Sequence, residues 1–237
     1  MENRTVVIVG GSSGMGLRVA ERVVELGGQV VLGARSRERL EAAVDRLGPR
    51  ARGVSIDTSD KESIAAFFEQ IPSLDHLFTP GSSHLGAGPI DTISDEVAES
   101  PFRSKFWGQY WSVKHARPRM APGGSIVLMG GAYGAHPPRA AAAYAACNSA
   151  VESLGRALAV ELAPLRVNVV SPGLIDSALW QRRPEPQRTQ AYSAYAEASL
   201  LGRVGTVDEV AGAVLFLMQN TYTTGSVLYP DGGYVLR

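Results

Sequence analysis

The chain has 237 residues, 45% of them hydrophobic and 19% charged, with 23 basic and 23 acidic side chains in balance. A chain of this size buries roughly 70–75% of its unfolded surface, so its core needs no metal or disulfide support. The neutral balance and the lack of a basic run argue against nucleic acid or an anionic membrane surface as the main partner, and the single cysteine, Cys147, excludes an internal disulfide framework and fits a reducing compartment.

Met1 leads directly into an apolar strand with no longer apolar run behind it, so no secretory leader is expected. No stretch reaches the roughly 18 apolar residues of a membrane helix. No His/Cys/Asp cluster has metal-ligand spacing. The expectation is a cytoplasmic protein forming one domain over residues 1–237.

In chain order the pattern is strand, then helix, without a Pro- or Ser-rich linker. Thr5–Val9 is a β-branched apolar run stopped by glycines, and Gly14–Leu26 follows as a helix. Gln29–Leu32 predicts the second strand, Arg37–Leu47 an amphipathic helix, Val54–Ile56 the third strand and Lys61–Gln70 a helix. Leu74–Phe78 is the fourth strand, with one long helix expected over Glu99–Met120. Ser125–Met129, the helix Tyr144–Leu162 and the strand Arg166–Val170 come next, and the helix Val207–Gln219 precedes a last strand, Ser226–Tyr229. Short continuous apolar strands between helices predict an α/β fold whose parallel, seven-stranded sheet is covered on both faces. Right-handed crossovers make it a doubly wound Rossmann fold. Ala178–Leu200 breaks the rhythm with few branched aliphatics and the run Gln181-Arg182-Arg183-Pro184-Glu185-Pro186. An insertion after a strand end lies at the ligand-binding edge of such a sheet, so this segment is read as a substrate lid.

Gly10-Gly11-Ser12-Ser13-Gly14-Met15-Gly16 stands between the first strand and the first helix. Glycines there allow a tight turn and close backbone approach to a pyrophosphate, whose charge the helix N-terminus attracts. The second strand runs into Leu32-Gly33-Ala34-Arg35-Ser36-Arg37 without an acid. A carboxylate at that point would hold a ribose 2′-hydroxyl, whereas arginine grips a 2′-phosphate, which favours NADP(H) over NAD(H).

The spacing G-x-x-x-G-x-G resembles that of the short-chain dehydrogenase/reductase family, and the resemblance runs the length of the chain. Asp57 after the third strand looks like the family's adenine-binding aspartate, with Thr58 beside it. Arg166 to Gly173 looks like its sixth strand and Pro-Gly turn, and Gly202-Arg203-Val204-Gly205 and Asp231-Gly232-Gly233-Tyr234 like its C-terminal signatures. The resemblance implies that Pro172, Gly173, Ile175 and Ser177 border the nicotinamide, with Ile175 and Ser177 on its carboxamide. The family's Asn-Asn-Ala-Gly, which mainly supports the central sheet, becomes Thr79-Pro80-Gly81-Ser82 here. A homotetramer or homodimer is expected on the same ground.

The catalytic residues of that family are asparagine, serine, tyrosine and lysine, the last two as Y-x-x-x-K on one helix face. The tyrosine exchanges the proton, the lysine's charge favours its phenolate, and the serine steadies the substrate oxygen. Here Tyr144 matches, Asn148 stands at the lysine position, Gly131 at the serine position and Lys105 at the asparagine position. One reading is a swap in which Lys105 supplies the charge and Asn148 orients by hydrogen bonding. The other is a lysine that only runs its stem along a helix face. Gly130-Gly131 either vacates space beside the nicotinamide or serves a tight turn. Gly131, Tyr133, His136 and Trp180 are read as bordering the substrate pocket, with Tyr192 and Tyr195 as further aromatic walls. His84 and His136 lack a partner motif. Cys147, Phe102, Phe106, Trp107 and Trp111 are read as packing residues.

Two functions follow. The first is an NADPH-dependent reductase of a carbonyl, imine or activated alkene in a small organic substrate, with Tyr144 donating the proton. The second is a cofactor-binding protein without redox chemistry, either a cyclase or isomerase or a sensor of NADP state.

Overall fold

The computed structural model describes residues 1–80 and 87–237. The first third alternates β1 (Thr5–Val9), α1 (Gly14–Glu25), β2 (Gln29–Ala34), α2 (Arg37–Leu47), β3 (Ala51–Ser55), α3 (Lys61–Glu69) and β4 (Leu74–Thr79). Then come α4 (Asp95–Pro101), α5 (Trp107–Ala116), β5 (Met120–Met129), α6 (Ala142–Glu161) and β6 (Arg166–Val170). The last part holds β7 (Ile175–Asp176), α7 (Ala178–Gln181), α8 (Glu185–Ala198), β8 (Gly205–Thr206), α9 (Val207–Gln219) and β9 (Val227–Leu228). Seven strands form one parallel sheet in the order β3-β2-β1-β4-β5-β6-β9, and β7 pairs with β8 apart from it. The doubly wound parallel sheet is the fold the strand pattern predicts.

Side-chain alternation along the strands explains the two layers. Val6 and Ile8 of β1 enter a core with Val19, Ala20 and Val23 of α1, Leu40 and Ala43 of α2 and the apolar face of α9. Val7 and Val9 point the other way, toward Ile64, Phe67 and Phe68 of α3, Val113 of α5 and Val151 of α6. With both faces covered, β1 is apolar from Val6 to Val9.

Two elements differ from expectation. The long helix expected over Glu99–Met120 begins earlier, where the Ser94 hydroxyl caps α4, and it is not uniform. Pro101 has no N–H to donate, and Phe102–Phe106 forms a wide π turn in which the Trp107 N–H reaches back to the Phe102 carbonyl. The helix stops at Ala116 before Pro118, and Met120 belongs to β5. The segment Ala178–Leu200 is largely helical, as α7 and α8. Its Tyr195 is buried, stacks on Tyr234 at 4.9 Å and donates its hydroxyl to the Asp231 carbonyl at 2.7 Å. Tyr195 therefore fastens the segment to the chain's last turn and is not a wall of the pocket.

Candidate active site

At the C-terminal ends of the central strands the chain encloses a cleft of about 1140 Å³. Gly10, Ser12, Ser13, Gly14, Met15 and Gly16 form its floor. Gly10 takes φ of 100°, and its N–H donates to the Gly33 carbonyl at 2.7 Å. Gly16 packs so closely on the Gly10 carbonyl that a Cβ has no room, so the start of α1 is pulled tight against the loop. A Cβ on Gly14, by contrast, would meet nothing within 4 Å. Ser13 at the N-cap makes no side-chain cap, and the first turn of α1 carries no acid. These free N–H groups at a positive helix end facing an open cleft suit a pyrophosphate. The residues present therefore fit a nicotinamide dinucleotide.

At the far end, Arg35 and Arg39 line the cleft and make no ion pair among the described residues. Sequence reasoning paired Arg35 with its helix-start neighbours and missed Arg39. Arg37 turns away to Glu41 at 2.8 Å, and Ser36 caps α2 by accepting the Arg39 N–H at 3.4 Å rather than facing the cleft. Arg35 precedes the α2 cap Ser36 and Arg39 stands in the first turn of the helix, and both meet the cleft from that end of α2. Asp57 and Thr58 form the adjoining wall. The Asp57 carboxyl is pushed up by burial but held below its ordinary range overall by the Ser59 hydroxyl and N–H and by the charge of Arg35.

Thr79 and Pro80 also line the cleft, while Gly81 and His84 lie outside the described residues. The Thr79 hydroxyl donates to Gln109 Oε1 at 2.7 Å, the Met129 N–H donates to the same oxygen at 2.8 Å, and Gln109 Nε2 donates to the Met129 carbonyl at 3.1 Å. Gln109 thus ties the ends of β4 and β5 together, in support of the central sheet, and sequence reasoning had not singled it out. Ser177 reaches the cleft with its hydroxyl free of capping. Ile175 is buried in the core and pairs with Gly205. Pro172 accepts the Ala132 N–H at 2.9 Å, and Gly173 lies against the Tyr195 hydroxyl, where a side chain has no space.

Behind the cleft, the π turn and α6 bring Lys105, Tyr144 and Asn148 together. Lys105 is 4% exposed. Its ammonium donates to Asn148 Oδ1 at 2.6 Å and to the Gly130 carbonyl at 2.7 Å, and it stands 5.1 Å from the centre of the Tyr144 ring. Asn148 is fully buried, and its Nδ2 has no partner among the described residues. Cys147 beside it is buried, and burial pushes its thiol up despite the nearby Lys105 charge.

Tyr133 packs edge-on to Tyr144 at 6.4 Å and against Tyr234 at 5.8 Å, and His136 meets Tyr234 at 5.0 Å. Burial, with the neighbouring Tyr234 and Tyr144 phenols, pushes Tyr133 up to about 12, so it remains neutral. Trp180 sits on Tyr192 at 5.9 Å and under the Arg183 guanidinium at 4.4 Å. Tyr133, His136 and Trp180 are thus packed on protein aromatics, and Arg182 and Arg183, rather than Trp180, line the cleft.

The family model described as enoyl-(acyl carrier protein) reductase matches residues 9–235 of the chain. The chain belongs to the short-chain dehydrogenase/reductase family. It is 30% identical to carbonyl reductase family member 4 of Danio rerio over 242 residues, covering 99% of each chain. A short-chain oxidoreductase of Pseudomonas aeruginosa PAO1, solved with NADPH and described as containing an atypical catalytic centre, is 29% identical with a TM-score of 0.89 over 98% of each chain. The reductase/Diels-Alderase MalC of Malbranchea aurantiaca is 25% identical with a TM-score of 0.92, over 100% of this chain and 98% of its own. No described helix is long and apolar enough to cross a membrane.

Proposed function

We propose that this family member is an NADPH-dependent reductase of a carbonyl, imine or activated alkene in a small organic substrate. Tyr144 is the proton donor, and Lys105 is the cation that the family otherwise places at the Asn148 position. The observation that carries this reading is the Lys105 ammonium, held by Asn148 and the Gly130 carbonyl at 2.6 and 2.7 Å and standing 5.1 Å from the Tyr144 ring.

Arg35 and Arg39 would clamp the 2′-phosphate, Ser12 to Met15 would hold the pyrophosphate, and Ser177 would hold the carboxamide. A reduced nicotinamide bound there would supply the hydride to the acceptor carbon. The Tyr144 hydroxyl would deliver the proton to the neighbouring atom, which receives the electron pair of the double bond. The fixed ammonium stabilises the phenolate left behind until solvent returns the proton. The same reading expects a cytoplasmic homotetramer or homodimer.

A second reading has no redox step, and Gly131 supports it because glycine stands at the position where the family has the serine hydroxyl that steadies a developing alkoxide. MalC, described as both reductase and Diels-Alderase, is similar over the whole chain. Purified protein is offered NADPH with a ketone, an imine and an enone, alongside Tyr144→Phe. Oxidation of NADPH that Tyr144→Phe abolishes supports the reductase. NADPH binding without oxidation for all three substrate types supports the non-redox role.

A further inference from the structure

The site departs from its family at Lys105, Asn148 and Gly131, and the geometry joins all three. Gly131 has φ of 172°, extended backbone open to any residue, so its conformation does not require glycine. Its side-chain space is tight instead. A Cβ there would lie 3.0 Å from Asn148 Oδ1 and 3.1 Å from both Cγ and Nδ2. Asn148 cannot retreat easily. Oδ1 is held by the Lys105 ammonium at 2.6 Å, and the residue is fully buried. Flipping the carboxamide would turn its NH2 toward an ammonium, setting donor against donor.

We infer that Gly131 is a positioning residue whose missing side chain seats the Asn148 carboxamide that aims Lys105, so that Lys105, Gly131 and Asn148 form one interdependent unit. The inference rests on the proposed reductase for its kinetic consequence, and on packing alone for the coupling itself. A serine at Gly131 would displace the amide and, through it, the ammonium beside Tyr144. Lys105 then makes the absence of the family serine a requirement of the site rather than a simple loss.

A double-mutant cycle tests this, using Gly131→Ala, Asn148→Ala and the pair. Each protein is assayed for NADPH affinity, for kcat and KM with the best ketone, imine or enone, and for its urea unfolding midpoint. Gly131→Ala is expected to lower kcat on the order of tenfold or more, as a small misplacement at a reacting centre does. NADPH affinity should change by less than about threefold, because Gly131 touches Asn148 rather than the cleft. In the Asn148→Ala background the same change should have little effect on kcat or on the midpoint. The triple variant Lys105→Asn/Gly131→Ser/Asn148→Lys should outperform each of its single changes. Equal effects of Gly131→Ala in both backgrounds, or no effect in either, would overturn the inference. If no substrate is reduced by the natural sequence, the reductase reading fails and the unfolding cycle still decides the coupling.

Discussion

Lys105 and Asn148 lie 43 residues apart and share a 2.6 Å hydrogen bond from ammonium to side-chain carbonyl. Lys105 has no carboxylate partner among the described residues, so its charge is held in the interior by two neutral oxygens. Such an arrangement is costly to keep and is weak evidence of a purely stabilising role.

Lys105→Met separates the two roles. An apolar side chain of similar length relieves the desolvation of the charge but leaves Asn148 Oδ1 and the Gly130 carbonyl without that donor, at a cost of about 1–3 kcal/mol each. The urea midpoint should therefore move little, while NADPH-dependent turnover should fall about a hundredfold or more, the scale of losing one preorganised electrostatic group. Steady-state kinetics and unfolding on the same preparation check both.

Arg35→Ala and Arg39→Ala should each weaken NADPH binding by about tenfold or more, since a hydrogen bond to a charged group is worth about 1.5–3 kcal/mol. NADH binding should be unchanged in both. Arg37→Ala should alter neither, because Arg37 is engaged with Glu41 and exposed. Calorimetric titration of the three variants with both cofactors is the measurement. Equal loss of NADPH and NADH affinity would place the arginines on the shared part of the dinucleotide.

Much of this was legible in the chain. The β-branched run Thr5–Val9, buried on both faces, could be read as a central parallel strand, and the glycine spacing after it located the dinucleotide edge. Tyr144, Lys105 and Asn148 could be aligned by motif, and the structure brings all three together. The π turn could not be read, because helical periodicity assumes a uniform number of residues per turn. Arg39 was overlooked for a related reason: which arginine faces a ligand depends on the helix's roll, and Glu41 draws Arg37 outward. Gly131 looked like a turn glycine, since its constraint comes from Asn148, distant in sequence. Tyr195 looked like a pocket wall because its partners Asp231 and Tyr234 lie in the last turn.

Gln109→Leu should destabilise the sheet more than Thr79→Val. The first leaves the Met129 N–H and carbonyl and the Thr79 hydroxyl without their partner, whereas the second removes one donor. Expected losses are several kcal/mol against about 1 kcal/mol. Urea denaturation distinguishes them.

Acid should weaken the fold through His76, which shares a 2.8 Å hydrogen bond with Ser125. Burial, reinforced by Arg166 and Arg4 and opposed by Asp75, pushes its imidazole down to about 4. The unfolded chain then binds the proton more tightly, so this contribution is full above about pH 6.5 and is lost as the pH falls towards 4. It amounts to about 3 kcal/mol. Unfolding free energies from pH 4.5 to 7.5 should slope accordingly, and His76→Gln should flatten the slope.

The π turn gives one helical rod two phases. Its extra residue shifts everything downstream by about 100° relative to a regular helix. After the turn, Gln109, Val113 and Ala116 face the sheet, while Lys105 inside it points at Asn148 and Gly130. Deleting one residue between Phe102 and Phe106 would restore a regular helix and let its downstream half stay seated. Lys105 would then swing out of line with Tyr144, so on the proposed mechanism the chemistry would depend on the count of residues in that turn as much as on their identity.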